Sequence, residues 1–197
     1  MTIQTWPDLR YYLDEDLKAN GMTCWRFQDR YRRPEVYYQR LMRKLEYLLA
    51  QPGMIARARR SLVRFRFMRM SIATGISIPP GVFGPGLSIA HYGSIVVHSK
   101  VRAGAYCRIN SATNIGFANG GVPYLGDHVY ISPGAVLYGP ITVGSRVVIG
   151  ANAVVGKNVP EDVTVAGAPA RVISNRNSRS VMPKFVPFPE EHNAASN

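Results

Sequence analysis

Ten aliphatic positions keep a spacing of six along the middle of the chain: Val97, Ala103, Ile109 and Ile115, then Leu125, Ile131, Leu137, Val143, Ile149 and Val155. Two positions before many of them stands a small or β-branched residue, as at Val129, Ala135, Ile141, Val147 and Ala153. Glycine follows at Gly104, Gly116, Gly126, Gly144, Gly150 and Gly156. A helix repeats near 3.6 and a strand at 2, so neither alone gives an unbroken period of six. That period predicts a solenoid of short flat faces that turns a corner every few residues. The train is expected to bury one continuous aliphatic column, with glycine at corners whose backbone it tolerates best. The solenoid should run from about Ile76 to Val172, although ISIPPGVFGPG at its start does not keep step. FANGGVPY, between Ile115 and Leu125, reads as a loop thrown out at a corner.

A different rhythm precedes it. Thr5, Pro7 and Asp8 look like a helix start, Leu9, Tyr12, Leu13 and Leu17 share a face, and Asn20-Gly21 stops the element. A second helix is expected from Pro34, striped by Tyr37, Leu41, Leu45 and Leu48 and ending before Pro52-Gly53. Ile55 to Met70 suits a basic helix better than the strand that RFRFMRM suggests. Beyond Ser174 the polar, proline-bearing tail predicts an extended segment, partly disordered or laid across a neighbouring subunit. The chain therefore divides into a helical region (1–70), a repeat domain (71–174) and a tail (175–197), a mainly β architecture.

Charge narrows the partners. Twenty-four basic against 12 acidic residues give a formal charge of +12, which suggests anionic partners. Arg57, Arg59, Arg60, Arg64, Arg66 and Arg69 stand together with no acid among them. They read as a solvated face, a surface for anionic glycan or lipid headgroups, or a nucleic-acid patch; the last lacks any recognisable module and is set aside. Cys24 and Cys107 do not form a disulfide framework, and Cys107 fills a small-residue slot of the repeat. An acidic N-terminus without an apolar core, and no run of 18 apolar residues, predict a cytoplasmic protein without a transmembrane segment. No set of His, Cys, Asp or Glu has metal-ligand spacing, so no metal is expected.

The hexapeptide trains, GLSIAHYGSIVV and the closing AGAPARVI resemble the hexapeptide-repeat acyltransferases over roughly residues 75–174. The resemblance is to the serine acetyltransferase branch, and within it most of all to surface-polysaccharide O-acetyltransferases. It implies a left-handed parallel β-helix working as a homotrimer with sites between subunits, against the usual right-handed crossover. It also implies that His91 is the general base: six before Val97, it falls where the train would put an aliphatic residue. A neutral imidazole near its ordinary pKa of about 6.5 can take a proton from a hydroxyl, which then attacks the acetyl thioester while backbone N–H groups hold the oxyanion. Acetyl-CoA would lie against Pro133, Ala151, Gly156 and Lys157, with Arg171 meeting the nucleotide phosphates.

Two departures bear on the acceptor. Ala90 stands where the serine enzymes have Asp, and Gly120-Gly121-Val122-Pro123 where they have a basic loop. Pairing both ends of zwitterionic serine would need charges there. The expected activity is therefore O-acetylation of a sugar hydroxyl in a capsular or other surface polysaccharide, with Tyr92 and Asn119 as acceptor contacts. Serine O-acetylation and a non-catalytic trimeric scaffold are the alternatives. His98 and His128 read as surface residues of corners, and His192 as part of the tail.

Overall fold

The computed structural model describes residues 3–189; His192 lies outside them. Four helices come first. Helix α1 (Trp6–Ala19) starts in a reciprocal cap: Thr5 Oγ1 accepts from the Asp8 N–H at 3.3 Å and Asp8 Oδ2 accepts from the Thr5 N–H at 2.8 Å. A short helix, α2 (Asp29–Arg32), was not foreseen, because four residues are too few to show a period. Helices α3 (Pro34–Ala50) and α4 (Met54–Thr74) follow, the latter ending on Gly75 at φ 70°. The helical region thus continues four residues past the expected boundary.

The remainder is the parallel β-helix. Its first face holds Ile76–Ser77, Ile95–Val97, Thr113–Gly116, Val136–Tyr138 and Val154–Val155. The second holds Arg102–Ala103, Tyr124–Leu125 and Thr142–Val143, extended by bridges at Phe83 and Val159. The third holds Ser88–Ile89, Arg108–Ile109, Tyr130–Ile131, Val148–Ile149 and Thr164–Ala166, and Arg171–Ser174 closes it antiparallel.

The train of sixes does not make one column but three, one per face. Val97, Ile115, Leu137 and Val155 stack in one. Ala103, Leu125 and Val143 stack in the second, and Ile89, Ile109, Ile131, Ile149 and Val165 in the third. Consecutive train residues sit on different faces and meet at the centre, where one core cluster spans the solenoid. The irregular opening joins it, since Ile76, Ile78, Val82, Phe83, Leu87 and Ile89 are all buried. Phe83 is bridged to Ala103, a large side chain beside a small one in the same column.

Glycine follows the train for a different reason than expected. A Cβ on Gly144 would stand 2.5 Å from Glu161 N and 2.7 Å from Glu161 Cα, so the next rung's backbone leaves no room. The left-handed turn comes two residues later, at Tyr106, His128, Arg146 and Asn152, with φ of 53°, 56°, 58° and 57°.

The helices seat on the first coil through buried polar groups. Arg43 is fully buried on α3. It donates to Asp16 Oδ2 at 2.9 Å, Glu46 Oε2 at 3.2 Å, the Phe83 carbonyl at 2.8 Å and the Gly84 carbonyl at 2.6 Å. Asp16 also accepts from Leu87 N, and Glu46 from Gly81 N. Tyr38 Oη both donates to the Ile78 carbonyl and accepts from its N–H, each at 2.8 Å. The proline- and glycine-rich coil, too irregular to satisfy its own backbone, is satisfied by the helices.

Up to residue 189 the tail packs on its own solenoid. Ser178 N donates to the Arg146 carbonyl, Ser178 Oγ to the His128 carbonyl, and His128 Nε2 lies 2.9 Å from the Pro187 carbonyl. His128, read as a surface residue, is therefore buried, stacked on Tyr106 and met edge-on by Phe188, and burial holds its pKa below the ordinary value. Cys107 is buried in the core and its thiol pushed up to about 12.

Candidate functional site

The corner between the third and first faces carries the candidate base. Ile89 fills the column slot, so His91, two residues on, stands on the exposed corner and not in the train. Two extra residues between Ile89 and Val97 displace it there. The same offset places Ser111, Pro133 and Ala151 above it, two residues beyond Ile109, Ile131 and Ile149. The structure therefore brings His91, Pro133 and Ala151 to one edge of the solenoid.

That corner is braced from below. Ala90 N donates to the Ile109 carbonyl at 3.0 Å, and Gly93 N to the Thr74 carbonyl, at the end of α4, at 2.8 Å. Gly75 approaches Gly93 so closely that a Cβ would stand 3.2 Å from its carbonyl carbon. The imidazole itself takes part in no side-chain hydrogen bond among the described residues, which leaves both nitrogens open to an acceptor hydroxyl. Tyr92 shares the corner and is exposed.

Asn119 does not. It sits on the next corner, between the first and second faces, at the tip of the inserted loop. Asn119 (φ 49°) and Gly120 (φ 83°) form a two-residue turn closed by mutual N–H···O bonds of 3.0 Å between Ala118 and Gly121. Asparagine serves that turn, and the protomer does not bring it to His91. On the same corner His98 packs against Phe117, their rings 5.8 Å apart, with Nδ1 accepting from Lys100 N.

Gly156, Lys157 and Arg171 meet in a groove of about 400 Å³ at the C-terminal end of the solenoid. The loop that carries Pro169 folds back over the first face: Gly167 accepts from Val154 N and Ala170 N donates to the Val154 carbonyl. Tyr138, missed in the sequence, lies one turn below Gly156, and a Cβ there would be 2.5 Å from its hydroxyl. Adding one 18-residue turn to Tyr138 would have found the pair. The groove offers two cations, no carboxylate and a position where only glycine fits beside Tyr138. Those residues suit an amide-bearing arm ending in phosphates. Among the described residues no group of three His, Cys, Asp or Glu is placed to hold a metal ion.

Residues 123–157 match the model of the bacterial transferase hexapeptide (six repeats). The chain is 38% identical over 125 residues to a serine acetyltransferase of Helicobacter pylori strain J99, covering 61% of this chain and 69% of that one. Of the serine acetyltransferases of Synechococcus elongatus and Buchnera aphidicola it spans 44% and 46% of the length, at 36% and 34% identity. Among solved structures, a Neisseria gonorrhoeae serine acetyltransferase in complex with serine superposes with a TM-score of 0.67 at 25% identity, over 86% of this chain and 70% of that one. A serine acetyltransferase in complex with CoA gives 0.63 at 25%, over 85% and 71%. These matches overturn the expectation of a polysaccharide acceptor, which rested on Ala90, the glycine loop and the resemblance to surface-polysaccharide O-acetyltransferases.

Proposed function

Because the chain belongs to the serine acetyltransferase branch of the hexapeptide-repeat transferases, we propose that it transfers an acetyl group from acetyl-CoA to the hydroxyl of serine. Supporting this reading are the alignment of His91, Pro133 and Ala151 on one corner and a separate cationic groove, formed by Gly156, Lys157 and Arg171, at the C-terminal end of the first face. His91 accepts the hydroxyl proton as the oxygen attacks the thioester carbonyl. The C–O bond forms, the C–S bond breaks, and the thiolate takes up the proton from His91. Lys157 and Arg171 hold the nucleotide phosphates, and the small residues of the corner admit the pantetheine arm.

Ala90 and Gly120–Gly121 supply no charge to serine's two ends, so on this reading those contacts come from a second copy, in a homotrimer. The apolar side chains that the solenoid exposes, among them Tyr92, Val96, Phe117 and Tyr124, favour such packing.

The test is CoA release from acetyl-CoA with and without serine. His91→Ala should lower kcat by about 10²–10⁴-fold with an unchanged KM for acetyl-CoA. Near-full activity in that variant would remove His91 as base. No CoA release with serine would remove the acceptor, and no binding of CoA would leave a scaffold.

A further inference from the structure

Helix α4 has two apolar faces and only one of them is used. Ala56, Arg60, Val63, Phe67, Met70 and Thr74 recur at three- and four-residue steps and turn inward, apolar but for the arginine and threonine; Phe67 packs on Tyr38 with rings 4.8 Å apart. On the opposite side Met54, Ala58, Leu62, Phe65 and Ile72 face solvent, with Arg69 completing the last step and its guanidinium 6.0 Å from the Phe65 ring; Met54 and Ile72 are each 83% exposed and Phe65 59%. At 100° per residue Arg57 and Arg64 flank this outer stripe on one side, and Arg59 and Arg66 on the other. The cationic surface continues onto α3: Arg40 and Arg66 both press on Lys44, whose pKa is lowered by burial first and by these two charges after it.

Among the described residues a second copy of the chain offers this face no carboxylate that lacks a partner of its own. Twelve acidic residues are present, and Glu190 and Glu191 lie outside the described residues. All the others are engaged. Asp8 and Asp29 cap backbone N–H groups, and Asp127 accepts from Ala105 N. Asp14, Glu15, Asp16, Glu35, Glu46, Glu161 and Asp162 are in ion pairs. Two α4 helices face to face would oppose arginine to arginine. Among the described residues no ion pair involves any of the six arginines from Arg57 to Arg69. A polynucleotide would use the charges but not the aliphatic stripe between them.

We infer that α4 is a membrane-surface helix: its outer stripe lies in the boundary of an anionic bilayer and its flanking guanidiniums meet lipid phosphates. It lies on the bilayer and does not cross it; no described helix is long and apolar enough to span. The inference does not depend on the acetyl acceptor.

The full chain is sedimented with vesicles of phosphatidylcholine alone and of phosphatidylcholine with phosphatidylglycerol, at about 0.1 and about 0.5 M salt. Binding should be about tenfold stronger to the anionic vesicles and weaken at high salt. Leu62→Ser with Phe65→Ser should lose about tenfold in binding, with the melting curve and CoA release unchanged, since both side chains are exposed. Arg57→Gln with Arg64→Gln should lose the preference for anionic lipid. Equal or no binding to both vesicles overturns the inference. So does a fall in light-scattering mass on Leu62→Ser with Phe65→Ser, which would make the face a contact between copies. Tight binding of an oligonucleotide that the same variant leaves unchanged would assign it to nucleic acid instead.

Discussion

Replacing Arg43 with Met tests whether the helical region and the solenoid are one folding unit. Methionine keeps much of the aliphatic volume but removes the guanidinium from a site with no access to water. Asp16, whose side chain is 3% exposed, then keeps only the Leu87 N–H, Glu46 keeps the Gly81 N–H, and the carbonyls of Phe83 and Gly84 lose their donor. Removing one partner of a buried ion pair costs about 3–5 kcal/mol, because the remaining charge stays desolvated. For a chain of this size that is a fall in Tm of about 6–20 °C. Calorimetry or circular dichroism would read it, and hydrogen exchange should show residues 76–87 losing protection first. The double variant Arg43→Met with Asp16→Asn should recover part of the loss, because no carboxylate of Asp16 then stands uncompensated. A single variant destabilised by less than about 1 kcal/mol, or a double variant no better than the single one, would refute the reasoning.

Further outcomes follow from other contacts. Lys157→Ala and Arg171→Ala should each raise the KM for acetyl-CoA about tenfold or more with kcat nearly unchanged, and a kcat loss without a KM change would count against their phosphate role. His128 is held below its ordinary pKa of about 6.5, so the unfolded chain binds more protons as pH falls through that value; its contribution is intact above 6.5 and lost below it. Tm and protection of residues 178–188 should decline between about pH 7 and 5, and His128→Phe should flatten that slope; an unchanged slope would exonerate the residue. Gly144→Ala forces a Cβ onto the Glu161 backbone and should cost about 1–3 kcal/mol in a denaturant melt; a neutral result would show the rungs can part.

The repeat was legible because a solenoid writes each turn into local spacing: Ile109, Ile131 and Ile149 are recognisable one by one. What the spacing hides is which face each residue joins, so one expected column became three. Helix ends were legible where short-range chemistry marks them, as at Thr5–Asp8 and Asn20-Gly21; the last helix was expected to stop at Met70 and runs to Thr74. Arg43 was not, since nothing in a helical stripe reveals that residue 43 will meet the carbonyls of 83 and 84. His128 was misplaced because its cover is a segment 59 residues away. Lys157 and Arg171 line one groove, as their place beside the closing turn suggested, whereas Tyr138 in the same groove required thinking in whole turns. The acceptor was misjudged by arguing from charges missing in a single copy, and the serine acetyltransferases it resembles correct that.

Stacked corners also make this molecule a ruler. His91, Ser111, Pro133 and Ala151 mark successive rungs along one edge, and neighbouring strands lie about 4.8 Å apart. The span from the rung of His91 to the rung of Ala151 is thus three increments, about 14 Å. It changes only when a whole turn is gained or lost, since turns of 20, 22 and 18 residues all keep Ile89, Ile109, Ile131 and Ile149 in one column. Leu125 and Val143 are one such turn apart. Excising residues 126–143 would keep every face in phase and draw Lys157 and Arg171 one increment nearer His91. Reach in this fold is digital, set by counting turns, and a loop at a corner can lengthen freely without altering it.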